Sequence, residues 1–384
     1  MLKRILSSTI FKLIIAVIIG ILLGLVVGES FMNVVVTVKY ILGQLIFFMV
    51  PLIILAFISS SIAKMKGKAS RMLGWALGLA YCSSVGAAFM AMFLGYWLIP
   101  LLTVSPATEG LKQIPELVFK LDIPPVMSVM TALVVAVMIG LATVWTKSQV
   151  FGTILDDFQK MVLLLINRIL IPVLPFFIAA NFCALSYEGS ITRQLPVFLN
   201  VMGIVLTAHF VWLVFLYLSA GAFAGKNPWQ VICYYGPAYF TAVGTMSSAA
   251  TLPVSLECAR KSPVLKGEVV DFAIPLFANI HLCGSILTEV FFVMTVSLML
   301  YGTMPAVATM VLFIVLLGIF AIGAPGVPGG TVIASLGIVV SVLGFDETGT
   351  ALLLTIFALQ DSFGTACNVT GDGALTLVLS KLDK

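Results

Sequence analysis

Charged residues are scarce in this sequence. Its 20 basic and 16 acidic residues amount to 9% of 384 residues, whereas a soluble domain draws roughly a quarter of its residues from these types. This scarcity excludes a soluble globular enzyme, a nucleic-acid-binding protein and a disordered scaffold. Hydrophobic residues make up 61% of the chain, and its mean hydropathy is +1.18. The environment that suits such a chain is a lipid bilayer.

Paired cysteine motifs are absent as well. The six cysteines are scattered through apolar stretches, and none forms a C-x-x-C pair, so neither a zinc site nor a disulfide framework is indicated. We interpret these cysteines as small buried residues. No small-residue cleavage site follows the basic residues Lys3, Arg4 and Lys12, which favours a retained first helix over a signal peptide.

What the sequence does contain is a series of long apolar stretches. A membrane-spanning helix needs about 20 apolar residues, and such stretches lie at 11–28, 33–63, 71–102, 125–146, 158–187, 195–224 and 268–300. If the N-terminus is cytoplasmic, 15 of the 20 Lys and Arg residues fall on the cytoplasmic side. This asymmetry agrees with the positive-inside rule. It predicts a multi-pass protein of the cell (inner or plasma) membrane with both termini in the cytoplasm.

Three further apolar regions are broken by polar or helix-breaking residues. Residues 229–257 contain TMSSAATLP, and residues 305–344 contain GAPGVPGG. Their arms are too short, or barely long enough, to cross a bilayer, so we predict two re-entrant hairpins. Residues 348–382 are apolar as far as QDSFGTACNVTGDG, which predicts an interrupted last helix. Irregular backbone at membrane depth must line a protein-enclosed or hydrated cavity, an arrangement typical of secondary transporters.

The last segment carries four polar residues, Asp361, Thr365, Asn368 and Asp372, at spacings of four, three and four. These spacings place them on one stripe of a helix. Carboxylates inside a bilayer are unfavourable, on the order of several kcal/mol, unless they are paired or bind cations. Carboxylate and carbonyl oxygens suit a hard cation such as sodium. We therefore predict a cation site on this stripe.

The tip of the first hairpin adds a complementary feature. Ser247 and Ser248 supply hydroxyls and amides there, where the N-terminus of a short helix favours an anionic group. An amino acid carries both charges that such a site requires. Its carboxylate suits the hairpin amides, and its ammonium suits Asp361.

These residues resemble those of a known family. The chain resembles the dicarboxylate/amino acid:cation symporters, the glutamate-transporter family, over nearly its whole length. The resemblance is carried by PLIILAFISSSIAKM (51–65), SSAATLPVSLECA (247–259), GVPGG (326–330) and NVTGD (368–372). It implies an all-α integral membrane protein with eight transmembrane helices and two re-entrant helical hairpins. It also implies a homotrimer in which a transport domain moves like an elevator against a trimerisation scaffold.

The resemblance implies a single integrated membrane domain over residues 1–384. Scaffold elements are expected mainly at 11–63 and 125–224. Transport elements are expected mainly at 71–102 and 229–384, with hairpin one at 229–257 and hairpin two, the outer gate, at 305–344. The expected partners are an amino acid, sodium ions and the lipid bilayer, with no nucleic acid, no organic cofactor and no enzyme activity.

The resemblance also implies a substrate site. Asp361 matches the aspartate that holds the substrate's amino group, Asn368 matches an asparagine that binds substrate and sodium, and Thr365 matches a threonine of the pocket. The implied substrate-binding residues are Ser247, Ser248, Ser285, Val327, Gly329, Asp361, Thr365 and Asn368.

Two sodium sites are implied in the same way. Asp372 matches the aspartate of the first site, whose other ligands are carbonyl oxygens. The residues that correspond to the first site are Asp372, Asn368, Phe277 and His281, and those of the second, which hairpin two closes, are Ala321, Ile322 and Ala324 with Asn279 beside them.

The chain departs from the family at the position that binds an acidic side chain. Members with acidic substrates carry an arginine at the position of Gly364 or near Met246, and neither position is charged here. We predict that Gly364 leaves space beside Asp361. A neutral amino acid such as serine or threonine, or a bulkier one, is therefore the expected substrate.

A second departure concerns the ions. The family's N-M-D-G-T motif reads HLCGS here, so that Cys283 replaces a carboxylate ligand of a third sodium. Ser83 and Ser84 remain where other oxygen ligands of that site would lie. Glu289 lies where some members carry a protonatable glutamate, and it and His281 are candidate proton carriers.

Several alternatives stay open. An acidic amino acid or a dicarboxylate is one, with Arg168, which we interpret as the only arginine buried within a span, supplying the positive charge. Proton-coupled uptake and, more remotely, a passive channel are others. An intramembrane aspartyl protease is disfavoured because 11 residues of continuous helix would separate Asp361 from Asp372 by about 16 Å, which is too far to share one water.

Overall fold

The computed structural model describes residues 9–63, 70–102, 115–189, 191–324 and 329–382. Within these ranges the regular elements are helices, and no strand is formed. A helix satisfies its own backbone hydrogen-bonding groups, as the interior of a bilayer requires. Four stretches in this part of the chain are long and apolar enough to span a membrane: Arg71–Leu101, Val197–Ala224, Gly267–Tyr301 and Glu347–Leu382.

The first half of the chain forms a group of long apolar helices. They are α1 (Thr9–Val26), α2 (Glu29–Ala63), α3 (Ser70–Leu98), α4 (Val129–Thr146), α5 (Gln149–Leu165), α6 (Ile171–Glu188) and α7 (Ile191–Ala224). α2 packs against α4, α5 and α6, while α1 lies along α6. Thus α1, α2, α4, α5 and α6 form one packed group.

Arg168 lies on a π-helical turn, Ile166–Leu170, that joins α5 to α6. Its side chain is exposed, whereas the neighbouring Ile166 is fully buried. The interpretation of Arg168 as a buried arginine is therefore wrong. Burial of an unpaired guanidinium is strongly unfavourable, and the turn directs an apolar side chain inward instead.

The second half of the chain contains shorter helices followed by one long helix. They are α8 (Trp229–Ile232), α9 (Gly236–Thr245), α10 (Ser248–Arg260), α11 (Gly267–Ile280), α12 (Cys283–Tyr301), α13 (Val307–Ile322), α14 (Gly330–Leu343) and α15 (Glu347–Leu382). The two arms of hairpin one are α9 and α10, and those of hairpin two are α13 and α14. In each hairpin the two arms pack against each other.

The arms of both hairpins are short. α13 has 16 residues and α14 has 14, or about 24 and 21 Å of helix, less than the roughly 30 Å of a bilayer core. In hairpin one the chain reverses at Met246, which has a left-handed φ of 52°. Ser247 then caps α10 by accepting the N–H of Ala250 at 3.2 Å. These lengths agree with the prediction of paired short helices.

The position of the helix break differs from the sequence-based expectation. The prediction of an interrupted last helix is wrong, because α15 runs for 36 residues without a break. The break falls instead at His281 and Leu282, between α11 and α12, where a continuous span was expected. The glycines of α15 permit close packing and do not break it: a Cβ on Gly373 would lie 2.6 Å from the hydroxyl oxygen of Tyr217.

The core of the molecule forms around α12 and α15. The most apolar parts of Gly267–Tyr301 and Glu347–Leu382 are 94% and 89% buried. The corresponding parts of Arg71–Leu101 and Val197–Ala224 are only 39% and 44% buried. α15 packs against α7, α9, α11 and α12. The segments that carry the polar motifs are therefore enclosed by other helices.

Candidate functional site

The candidate site follows the polar stripe of α15. Asp361, Thr365, Asn368 and Asp372 all lie on this helix with exposures of 4% or less. The tip of hairpin two and the break between α11 and α12 contact the stripe, and α3 also packs against α15. The predicted stripe is thus buried, and Asp361, Asn368 and Asp372 each have a hydrogen-bond partner.

Asp361 is joined to hairpin two. Its Oδ2 accepts a hydrogen bond from the backbone N–H of Gly329 at 2.6 Å. Gly329 has a left-handed φ of 71°, a conformation that glycine adopts without strain. The hairpin tip therefore meets the carboxylate through a backbone donor.

Asn368 is joined to the start of α12. Its Oδ1 accepts the backbone N–H groups of Gly284 at 2.7 Å and Ser285 at 3.2 Å, and its Nδ2 donates to Ser285 Oγ at 2.9 Å. Amides in the first turn of a helix have no partner within the helix. Asn368 thus caps α12 from a different helix and stabilises the break.

Asp372 is joined to His281. His281 Nδ1 lies 2.8 Å from Asp372 Oδ1, and His281 Nε2 lies 2.9 Å from Ser83 Oγ of α3. His281 is 0% exposed, Asp372 1% and Ser83 6%. The sequence prediction used the carbonyl of His281, but it is the side chain that lies against Asp372.

Ser247 and Ser248 of the predicted substrate set lie at the tip of hairpin one. Ser248 begins α10 and is buried, while Ser247 caps this helix. In the same tip, Thr245 Oγ1 lies 3.0 Å from Thr251 Oγ1. Both arms of hairpin one pack against α15. Val327 lies outside the residues that the structure describes.

The carbonyl groups predicted for sodium differ in their surroundings. The carbonyl of Phe277 accepts the N–H of His281 at 2.9 Å, and that of Ala321 accepts the N–H of Ala324 at 3.2 Å. Ala321, Ile322 and Ala324 lie together where α13 ends. Asn279 is exposed, and its Nδ2 donates to the carbonyl of Pro275 at 2.8 Å. Its side chain is therefore bonded within α11.

The space expected beside Gly364 is absent in the part of the molecule that the structure describes. A Cβ on Gly364 would lie 3.3 Å from Ser285 Cα and 3.4 Å from Ser285 Oγ. A Cβ on Gly284 would lie 2.5 Å from the carbonyl oxygen of Gly364. The prediction of open space is wrong, because Gly364 allows α12 and α15 to approach closely.

Glu289 lies on α12 and is joined to hairpin two. It is 0% exposed, and its Oε1 accepts a hydrogen bond from Ser335 Oγ of α14. Its Oε2 has no hydrogen-bond partner among the described residues. Ser335 was not singled out from the sequence, since nothing local relates two residues 46 positions apart.

His209 was also missed by sequence reasoning. It lies on α7, and its Nε2 is 3.0 Å from the carbonyl oxygen of Gly284 and 2.9 Å from Thr288 Oγ1. Because a carbonyl oxygen only accepts, Nε2 carries a hydrogen. His209 thus supports the first turn of α12. A buried histidine in an apolar span was the available signal, but its partners could not be read from the sequence.

A broken helix, a polar helix and a hairpin tip that meet around buried carboxylates define a membrane transport protein of the discontinuous-helix type. Its helices, long and apolar, make it a multi-pass membrane protein. The sequence profile of the sodium:dicarboxylate symporter family matches residues 9–382. The chain belongs to this family, which confirms the resemblance.

Curated relatives agree with this membership. The chain is 28% identical to excitatory amino acid transporter 3 of Bos taurus over 256 residues, which cover 66% of this chain and 47% of the relative. It is 26% identical to excitatory amino acid transporter 2 of Homo sapiens over 223 residues, which cover 56% and 38%. The matched region therefore spans less than half the length of these relatives.

Proposed function

We propose that this protein is a secondary active transporter that couples uptake of a neutral amino acid, such as serine or threonine, to a cation, sodium. The observation that carries the proposal is the hydrogen bond from Gly329 of hairpin two to the buried carboxylate of Asp361. It joins a helical hairpin directly to a charged group suited to a substrate ammonium. A gate that contacts the residue proposed to bind the substrate suits alternating access.

The substrate's two charges have separate ligands in this proposal. Asp361 binds the ammonium, and the amides around Ser247, Ser248 and hairpin two bind the α-carboxylate. Asn368 of the stripe is hydrogen-bonded to Ser285 of α12, and both are proposed to line the substrate pocket. An ammonium bound at Asp361 would share this carboxylate with the Gly329 N–H, so the substrate would lie directly against the hairpin tip.

A neutral substrate is favoured because no basic residue lies on the stripe. Gly364 is packed against Ser285, and Arg168 is exposed outside the core. The alternative is an acidic amino acid or a dicarboxylate, since the relatives are named for excitatory amino acids and the family for dicarboxylates.

Sodium is proposed as the coupling ion because of the family and the oxygen ligands. The carbonyls of Ala321, Ile322 and Ala324 at the end of α13 suit a hard cation and lie next to the gate. The second set, Asp372 with carbonyls of Asn368, Phe277 and His281, forms a sodium site only if the His281 side chain leaves Asp372. Cys283 provides no carboxylate for a third site.

A proton is the alternative coupling ion. Glu289 and His281 are the proposed carriers, since both are fully buried titratable groups in the core. Glu289 is hydrogen-bonded to hairpin two through Ser335, so its protonation state bears on the position of the gate.

We infer the elevator mechanism from membership of the family. In this proposal α3 and residues 229–382 form the transport element, and α1, α2 and α4–α7 form the scaffold of a homotrimer with cytoplasmic termini. The two groups meet at several points, for example where a Cβ on Gly323 of hairpin two would lie 2.4 Å from Ile58 Cγ1 of α2.

Transport in proteoliposomes tests the proposal. We expect sodium-driven serine uptake and counterflow exchange for the native protein. Asp361→Asn removes the charge that binds the ammonium and should abolish both. The matched control is Asp271→Asn, since Asp271 is exposed and pairs with Arg260 at 2.7 Å; this variant should transport normally. A conductance that excess substrate leaves unchanged, without counterflow, would indicate a channel.

A further inference from the structure

Three buried side chains from three separate elements form a continuous hydrogen-bonded chain. Ser83 Oγ of α3 lies 2.9 Å from His281 Nε2, and His281 Nδ1 lies 2.8 Å from Asp372 Oδ1 of α15. His281 itself belongs to the break between α11 and α12. The imidazole therefore lies between the carboxylate of the predicted first sodium site and a hydroxyl of the predicted third site.

Residues around the imidazole ring of His281 determine its position. His281 has an extended backbone conformation, φ −108° and ψ 107°, and its N–H donates to the carbonyl of Phe277. The ring of Phe277 meets it edge-on, with the centroids 6.3 Å apart. A Cβ on Gly371 would lie 2.9 Å from His281 Cε1. The glycine at position 371 thus leaves room for the imidazole.

The donors at this position do not suit a sodium ion. A hard cation collects several oxygen ligands, but Asp372 Oδ1 and Ser83 Oγ are both engaged by ring nitrogens. Ser83 lies where the resemblance implies a third sodium, so the ring of His281 reaches from that position to Asp372 of the first site. An ionised carboxylate only accepts, so with Asp372 ionised the Nδ1 atom carries a hydrogen that points to where the ion would lie.

We propose that the imidazole of His281 permanently replaces the sodium ion expected at Asp372. This role requires only an N–H at Nδ1, which the protonated ring and one neutral tautomer both have. Asp372 is then a structural partner that holds the helix break against α15. The coupling sodium binds at the carbonyls that end α13. The inference rests on the proposed function only in taking sodium as the coupling ion.

Binding of radioactive sodium to the purified full-length protein, without an amino acid, tests the inference. Asp372→Asn keeps the shape and the acceptor oxygen but removes the charge. We expect the number of sodium ions bound per protomer, and their affinity within about twofold, to match the native protein. Loss of one bound sodium, or a tenfold weaker affinity, would overturn the proposal.

The converse variant is His281→Asn, which puts the family's own residue at this position and frees Asp372. We expect this variant to gain one sodium site, and the added substitution Asp372→Asn to remove the gain. A folded His281→Asn protein that gains no sodium also overturns the proposal. If this variant fails to fold, as judged by size-exclusion chromatography, the Asp372→Asn result decides.

Serine uptake, measured on the same preparations, separates this inference from the proposed function. If the sodium counts follow the expectation but no amino acid is transported, the proposed function fails and the role of His281 stands. If transport occurs and Asp372→Asn loses a bound sodium, the role of His281 fails and the proposed function stands.

Discussion

The backbone N–H of Gly329 donates a 2.6 Å hydrogen bond to Oδ2 of Asp361. The donor belongs to the tip of hairpin two and the acceptor to the buried centre of α15, 32 residues further along the chain. The contact depends on the left-handed φ of 71° at Gly329. The conformation of one glycine therefore determines how the hairpin meets the carboxylate.

Gly329→Ala should weaken substrate binding. A side chain in the left-handed region adds about 1 to 2 kcal/mol of strain, and relief of that strain moves the N–H away from Asp361. The control is Gly344→Ala, because Gly344 ends α14 with a nearly equal φ of 72° but has open space around its Cβ position. Both variants should lose similar thermal stability. If serine affinity falls equally in both, the Gly329 contact has no special role.

Asn368→Ala should impair both stability and transport. It removes the acceptor for two amides and the donor to Ser285. Loss of a helix cap destabilises a protein by about 0.5 to 2 kcal/mol, which a lower melting temperature would report. Asn368→Asp keeps the acceptor and should recover part of the stability, but not the uptake. Equal melting temperatures for native and Asn368→Ala proteins would contradict the capping role.

Gly284→Ala should be strongly destabilising. The new Cβ would lie 2.5 Å from both Cys367 Cβ and the carbonyl oxygen of Gly364, and overpacking of a core costs typically about 1 to 3 kcal/mol. The control is Gly74→Ala on α3, where no atom lies within 4 Å of the position that a Cβ would take. This change should stabilise by up to about 1 kcal/mol, since alanine favours helix. Similar melting temperatures for the two variants would argue against close packing of α12 on α15.

Glu289→Gln tests the alternative of proton coupling. Glutamine keeps the oxygen that accepts from Ser335 but cannot carry a proton through the transport cycle. If protons contribute, uptake driven by a pH gradient should disappear while exchange of labelled serine at equilibrium persists. Ser335→Ala, which leaves the carboxyl in place, should retain pH-driven uptake. Unchanged pH-driven uptake in Glu289→Gln would exclude Glu289 as the carrier.

The polar stripe could be predicted from the sequence because helical spacing alone places Asp361, Thr365, Asn368 and Asp372 on one face. The short arms of the hairpins could be predicted as well, since TMSSAATLP and GAPGVPGG interrupt two otherwise apolar stretches. These features depend on residues that are close together in the chain.

The features that could not be predicted depend on distant residues. His281 contacts Ser83 across 198 positions and Asp372 across 91, and no local pattern reports such a pairing. The break at Leu282 is held by the side chain of Asn368, which supplies partners for the free amides from another helix. Gly364 looked like open space because a missing side chain in the sequence does not reveal how closely a neighbouring helix packs.

Substrate selectivity is the most informative test of the proposed function. The side-chain carboxylate of an acidic substrate would be buried here without a basic partner. Such burial costs several kcal/mol, on the order of two or more decades in affinity. We therefore expect unlabelled aspartate and glutamate to compete with labelled serine at least about 100-fold less effectively than unlabelled serine. Arg168→Ala should leave this ranking unchanged, since Arg168 is exposed and lies on the turn between α5 and α6. Strong competition by aspartate in the native protein that Arg168→Ala abolishes would overturn the neutral-substrate proposal.

Gly364→Arg should fail to create an acidic-substrate site, although the resemblance implies an arginine at this position in members with acidic substrates. The Cβ of the introduced side chain would already lie 3.3 Å from Ser285 Cα, so we expect α12 to shift away from α15. That movement also disrupts the bonds of Asn368 to Gly284 and Ser285. The expected result is a lower melting temperature and loss of serine uptake without gain of aspartate uptake. A folded Gly364→Arg protein that transports aspartate would show that α12 can yield at this contact.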